Sequence, residues 1–240
     1  MRYIYSLVLC LSLFSAWAQT RIQSNVYPGK QPGVLFQGEA TAVKNMRFEL
    51  IEVKGNKSFK KAIHHKEGVV FIKRGSANIQ LGGIKETLTP GSVALITLGE
   101  KFKLKNTGDS PAEFYLLSYE SKNPMLECDT CTSFTRVWED LSFNKHDRGG
   151  VRNYFSRPTS QTKRFEMHVT TLLGGLPSHP PHTHVAEEII LMIEGESEME
   201  IGGKVFKGGA GDAYFVKSME AHGIKNTSQM NCSYYAFQWE

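Results

Sequence analysis

The stretch SHPPHTHVAEEIILMIEGESEMEIGG, Ser178 to Gly203, decides the fold. Its second half is strand-like. Ile189–Ile193 is a short unbroken apolar run, and Ser197-Glu198-Met199-Glu200-Ile201 alternates with the period of two expected of a half-buried strand. Gly202-Gly203 then turns the chain back, which is a hairpin signal. Its first half is chemical: His179, His182, His184, Glu187 and Glu188 crowd into ten residues around Pro180-Pro181.

Working outward, the same strand pattern recurs earlier. A shift of 120 residues lays 57–120 on 177–240 without a gap, with 13 identities in 64 positions. Average residue usage would give roughly 4. The identities include Gly75/Gly195, Gly82/Gly202, Gly83/Gly203, Gly91/Gly211, Asn106/Asn226 and Tyr115/Tyr235. The matched glycines mark turns, where positive φ costs a residue without Cβ little. Two copies of one domain account for the pattern. Short strands separated by turns, with no convincing amphipathic helix, predict an all-β sandwich or barrel. Residues from about Ser121 to Arg164 read as linker plus the first strands of the second copy.

Composition is consistent with two packed domains. The 240 residues are 40% hydrophobic and 22% charged, with a net charge of +4. No long Lys/Arg run appears, which argues against a nucleic-acid partner. The N-terminus reads as a cleaved secretory signal: Arg2, an apolar run from Ile4 to Phe14, then Ala16-Trp17-Ala18 before Gln19. The run is too short to span a bilayer. Leu9 before Cys10 argues against a lipid anchor. A periplasmic or secreted protein is therefore expected, with no stable membrane anchor. In an oxidising compartment Cys128 and Cys131 either close a small local disulfide or remain inert thiols. Zinc would need ligands that no nearby His or second Cys pair supplies.

His182, His184 and Glu188 share parity, so on a strand they would face one way. Downstream, Gly211-Asp212 opens another strand and His222 and Asn226 follow. Three imidazoles and a carboxylate suit one divalent first-row metal: manganese, iron, nickel or zinc.

These residues carry a resemblance. His-x-His-x3-Glu-x6-Gly stands as His182, His184, Glu188 and Gly195, and Gly-Asp…His-x3-Asn stands as Gly211, Asp212, His222 and Asn226. The pair resembles the two motifs of the cupin superfamily. Gly175 precedes His182 by seven residues rather than six, and Gly209-Ala210-Gly211 stands where Pro-x-Gly is usual. With the internal repeat, the chain is similar to a bicupin. That resemblance implies two tandem jelly-roll β-barrels (double-stranded β-helices), with a metal deep in the second held by His182, His184, Glu188 and His222. The expected division is a signal peptide at 1–18, an N-terminal cupin without ligands at 19–120, a linker at 121–144 and a metal-binding cupin at 145–240.

The first copy is an internal control. The ligand positions map to Ala62, His64, Gly68 and Phe102, so one ligand of four remains. That barrel is expected to be a structural or dimerising partner, its cavity plugged by Phe102.

Three features bear on substrate. Lys145, Arg148, Arg152, Arg157, Lys163 and Arg164 form a basic window. If Arg152 or Arg164 reaches the barrel mouth, an anionic substrate such as a sugar acid fits; otherwise the window is a solvated linker. His179 is either a general acid or base or a loop histidine. Tyr214 is the aromatic candidate for the pocket lining, while most other aromatics of the last strands read as core or dimer surface. Two classes of function follow. One is an exported metal-dependent enzyme on a small oxygen-rich acid, working by isomerisation, elimination, decarboxylation or dioxygenation. The other is a binding module for a sugar or other small molecule. The architecture also resembles ureidoglycine aminohydrolases, whose ligand motif is ordered differently. By the same resemblance a homodimer is expected.

Overall fold

The computed structural model describes residues 20–125, 128 and 130–240. The leader expected at 1–18 lies outside the described residues. Among the described residues, the only helical element is a 3-10 turn at Trp138–Asp140. No helix there is long and apolar enough to cross a membrane.

Strands occupy most of the rest. They run β1 (Asn25–Tyr27), β2 (Gly33–Gly38), β3 (Val43–Val53), β4 (Ser58–Ala62) and β5 (Glu67–Arg74). Next come β6 (Ala77–Leu81), β7 (Ile84–Leu88), β8 (Val93–Ile96), β9 (Lys101–Asn106) and β10 (Ala112–Ser121). The second half holds β11 (Phe134–Arg136), β12 (Asn144–His146), β13 (Gly149–Arg157), β14 (Phe165–Leu172) and β15 (Glu187–Glu194). It ends with β16 (Glu196–Ile201), β17 (Lys204–Gly209), β18 (Ala213–Val216), β19 (His222–Asn226) and β20 (Cys232–Trp239).

Two jelly-roll barrels result, each a large sheet facing a small one. The first pairs β11-β8-β5-β10-β3-β2 with β4-β9-β6-β7, and the second pairs β1-β18-β15-β20-β14-β13-β12 with β17-β16-β19. The repeat is carried residue by residue into the register. Leu81 pairs with Phe102 as Ile201 pairs with His222, and Gly68 pairs with Ile96 as Glu188 pairs with Val216. Gly75 and Gly195 show why one repeat glycine is required. Both have positive φ, 74° and 77°. A Cβ on either would meet Ala112 at 3.0 Å or Cys232 at 2.6 Å.

The unbroken apolar runs have a physical cause: the large sheets are covered on both faces. In β5, Val70 and Ile72 fill the first barrel while Val69 and Phe71 face the second barrel. In β15, Ile190 and Met192 fill the second barrel while Ile189 and Leu191 face the first. The described residues thus form three cores, one inside each barrel and one between them. The middle core is aromatic. Phe71 stacks on Phe237 at 5.0 Å, Phe48 lies edge-on to Phe237 at 6.1 Å, and Phe36 lies edge-on to Phe215 at 5.7 Å. Each such buried side chain contributes about 1.5–3 kcal/mol. Phe237, Tyr235 and Trp239 thus have their partners within the same chain.

The barrels also exchange arms, which the sequence did not announce. β1 from the first half pairs with β18 of the second barrel, and β11 from the second half pairs with β8 of the first. Each arm covers an open sheet edge of the other barrel. Buried carboxylates at repeat-related positions also tie the two halves together. Glu187 accepts hydrogen bonds from the backbone amides of Thr41 and Ala42, at 2.7 and 3.0 Å. Its counterpart Glu67 accepts from the Tyr119 hydroxyl at 2.6 Å and the Ser160 hydroxyl at 3.3 Å. Of the two cysteine alternatives, the local disulfide Cys128–Cys131 forms, and Cys232 is a free, buried thiol.

Candidate metal centre

Four side chains converge at one end of the second barrel. His222 opens β19 and forms an isolated bridge with His182. Their backbones exchange two hydrogen bonds of 3.0 Å. His184 lies in the loop that follows, and Glu188 is the second residue of β15. Parity grouped these residues by a route that the structure corrects. β15 begins only at Glu187, so His182 and His184 are not on a strand with Glu188. A bridge and a loop bring them together. The loop is held by the Met219 amide donating to the His184 carbonyl at 2.8 Å.

The ligand atoms of His182, His184 and His222 lie within 4.8 Å of one another. Glu188 Oε2 is 3.0 Å from His222 Nε2 and 3.7 Å from His184 Nε2. The other ring nitrogens are already committed. His184 Nδ1 meets the Ala186 carbonyl at 2.9 Å, and His222 Nδ1 meets the Glu220 carbonyl at 2.8 Å. A carbonyl only accepts, so each Nδ1 carries its proton and each Nε2 presents a lone pair inward. Those two Nε2 atoms are buried and make no well-formed hydrogen bond. Two orphaned imidazole nitrogens facing a carboxylate fit a cation; without one they are costly. The donor set of three nitrogens and one oxygen fits a divalent first-row metal.

Electrostatics are consistent with that reading. Burial alone would push the Glu188 carboxyl up. His184, His222 and the Gln238 amide outweigh burial and hold it well below the usual carboxylate range. The nearby Glu188 carboxylate raises His184, whereas desolvation and the neighbouring imidazoles lower His182. Gln238 is a positioning residue that sequence reading missed. Its Nε2 donates to Glu188 Oε1 at 3.0 Å, fixing the carboxylate from the neighbouring strand. The signal was there, since Gln238 shares the parity of Tyr234 and Ala236, which face the barrel interior from β20. Asn226, by contrast, supports the fold. Its Nδ2 donates to the carbonyls of Leu172, Leu173 and Met230, and Oδ1 accepts from the Ser228 amide. Asn106 does the same for the first barrel.

The expected substrate residues fare unequally. His179 is beside the centre, its ring edge-on to His182 at 4.3 Å. Tyr214 is fully buried, with its hydroxyl bonded to Ser197, so it is core rather than pocket lining. Arg152 lies over Trp138 and Phe143 and donates to the Leu141 carbonyl. That stacking satisfies its planar cation away from the histidines. Arg164 is engaged by Glu166 and Glu240.

The first barrel shows what replaces a metal. Phe102 is buried at the His222 position, and Gly68 stands at the Glu188 position. A Cβ on Gly68 would meet Ile63 Cδ1 at 2.4 Å. Ile63 and Phe102 both belong to that barrel's apolar core, so the space is filled. His64 is exposed.

Comparison with known proteins agrees with this architecture. Residues 168–237 match the family described as Cupin domain. AerE from Microcystis aeruginosa is 15% identical, with a TM-score of 0.68 over 89% of this chain and 98% of that one. The putative glyoxylate induced protein from Pseudomonas aeruginosa is 16% identical, with a TM-score of 0.69 over 90% and 81%. A mutant of Bacillus subtilis oxalate decarboxylase OxdC is 11% identical, with a TM-score of 0.70 over 91% and 78%. A comparison with curated protein sequences finds no match. The second barrel thus carries the match to a cupin domain, and the chain as a whole has the two-barrel cupin fold.

Proposed function

We propose that the chain is an exported, metal-dependent enzyme acting on a small oxygen-rich acid. The observation that carries this reading is the pair of buried, unpartnered Nε2 atoms of His184 and His222 beside Glu188, with the exposed His182 closing the set. His182, His184, His222 and Glu188 would hold the ion. A bound divalent ion supplies Lewis acidity, polarising a substrate oxygen or lowering the pKa of a bound water. Around it, Gln238 holds Glu188 in place, and His179 at the mouth is the proton-transfer candidate within reach. His182 is the solvent-facing member, so substrate enters on its side. The small-acid class is supported by likeness to a protein named as an oxalate decarboxylase, and export by the leader at 1–18.

A second reading, a binding module without turnover, draws on the barrel interior. Ile190, Met192, Met199, Ile201 and Tyr234 fill it and are fully buried, and they offer no base. The test is turnover. Full-length protein reconstituted with manganese, iron, nickel or zinc is incubated with small dicarboxylic, keto, hydroxy and uronic acids, beside a His182→Ala/His222→Ala variant. The account expects product with at least one metal, lost in the variant. Saturable binding without product would favour the binding module.

A further inference from the structure

A second concavity lies between the barrels, away from the histidines. It measures about 340 Å³. It is built from the same positions of both copies: Lys73 with Ile193, Pro90 with Ala210, and Tyr115 with Tyr235. Trp138, from the exchanged arm, forms a further wall and packs against Gly91, where a Cβ would meet its ring at 2.6 Å. The volume and the predominantly apolar, aromatic lining are those of a small-molecule site.

Two features make it more than a packing gap. Lys73 and Ile193 are both β-bulge residues. The ladder steps from Arg74 to Ile72 against β10, and from Glu194 to Met192 against β20. A bulge re-aims the side chain it carries. In the second copy that side chain is apolar. In the first it is a cation, 5.7 Å from the Tyr115 ring centroid. Moreover, Lys73 can be released from its present partner. Glu113 contacts Lys73 at 3.1 Å, but its other oxygen is held by Arg74 at 2.8 Å. If Lys73 turns to a ligand, Glu113 keeps a cation. Among the described residues, Lys73 is the sole charged one lining the cavity. Nearby Asp212 faces Lys30 at 3.9 Å and accepts from the Gly209 amide.

We propose that this inter-barrel cavity binds a small planar aromatic carboxylate, its ring between Tyr115, Tyr235 and Trp138 and its acid group on Lys73. Aromatic walls favour a flat ring in offset or edge-on contact, and a partly buried ammonium favours a carboxylate. The site does not depend on the metal centre.

The test uses the full chain and indole-3-carboxylate as probe, with neutral indole beside it, read by calorimetry. Saturable binding of the carboxylate is expected. Lys73→Met should weaken the carboxylate about tenfold and leave indole unchanged. Ala210→Trp, at an exposed position on the rim, should abolish binding of both. Binding should persist in His182→Ala/His222→Ala, which separates this site from the metal centre. No saturable binding, binding indifferent to Ala210→Trp, or binding lost with the histidines would overturn the proposal.

Discussion

The two barrels share a fold, a register and a set of turn glycines, yet one end of each has gone a different way. In the second, the Glu188 and His222 positions hold donors with lone pairs turned inward; in the first they hold Gly68 and Phe102, and Ile63 closes the space. The comparison teaches that the barrel does not need the metal to be stable. An apolar plug satisfies the same cavity at no electrostatic cost, whereas the polar version leaves two buried nitrogens unsatisfied. The polar residues are retained at a cost in stability, as expected of a functional site.

The sharpest break of the comparison comes from paired substitutions. His222→Ala should abolish metal retention on dialysis with little loss of metal-free stability. Phe102→Ala at the matching position should leave metal retention intact and cost about 3–5 kcal/mol, read by denaturant unfolding. Gln238→Leu comes next. By freeing Glu188 it should weaken metal affinity by about 10–100-fold without changing the fold, measured by competition with a chelator.

The buried carboxylates that tie the two halves together give smaller effects. Glu187 accepts two backbone amides, so Glu187→Gln should cost about 1–3 kcal/mol at pH 7. Glu67→Gln should cost less, and its effect should depend on pH. Burial raises Glu67, outweighing its bonds to Thr159, Tyr119 and Ser160. A raised carboxyl contributes stability that is complete below its unfolded pKa of about 4.3 and is lost as pH rises through the folded value. Wild type should therefore lose ground to Glu67→Gln as pH rises from about 4 in urea titrations. A constant difference across that range would remove the titration from the account.

Much of this was legible in the sequence because it was written in spacing. The repeat placed every strand of β4 to β10 onto its counterpart region, and the motif spacing named the four residues that meet. The apolar plug at Phe102 was legible for the same reason. What was not legible depended on long-range packing. The bulges at Ile193 and Lys73 leave no mark in the sequence, because a bulge is set by the partner strand. The exchanged arms β1 and β11 are short, with three residues each, too few for periodicity to show. Tyr214 was misplaced because alternation says which face a residue takes, not whether that part of the interior is open. For Arg152 and Arg164 the sequence left two alternatives open, because composition near a site does not give direction; aromatic faces engage Arg152 and carboxylates engage Arg164.

The most direct test of the central claim is metal stoichiometry by elemental mass spectrometry on the purified, reconstituted chain. Three proteins are compared: wild type, His182→Ala/His222→Ala, and His64→Ala in the first barrel. The account predicts one divalent first-row metal per chain, lost in the double variant and kept in His64→Ala. A folded wild type that holds no metal, or a metal that survives the double variant, would contradict it.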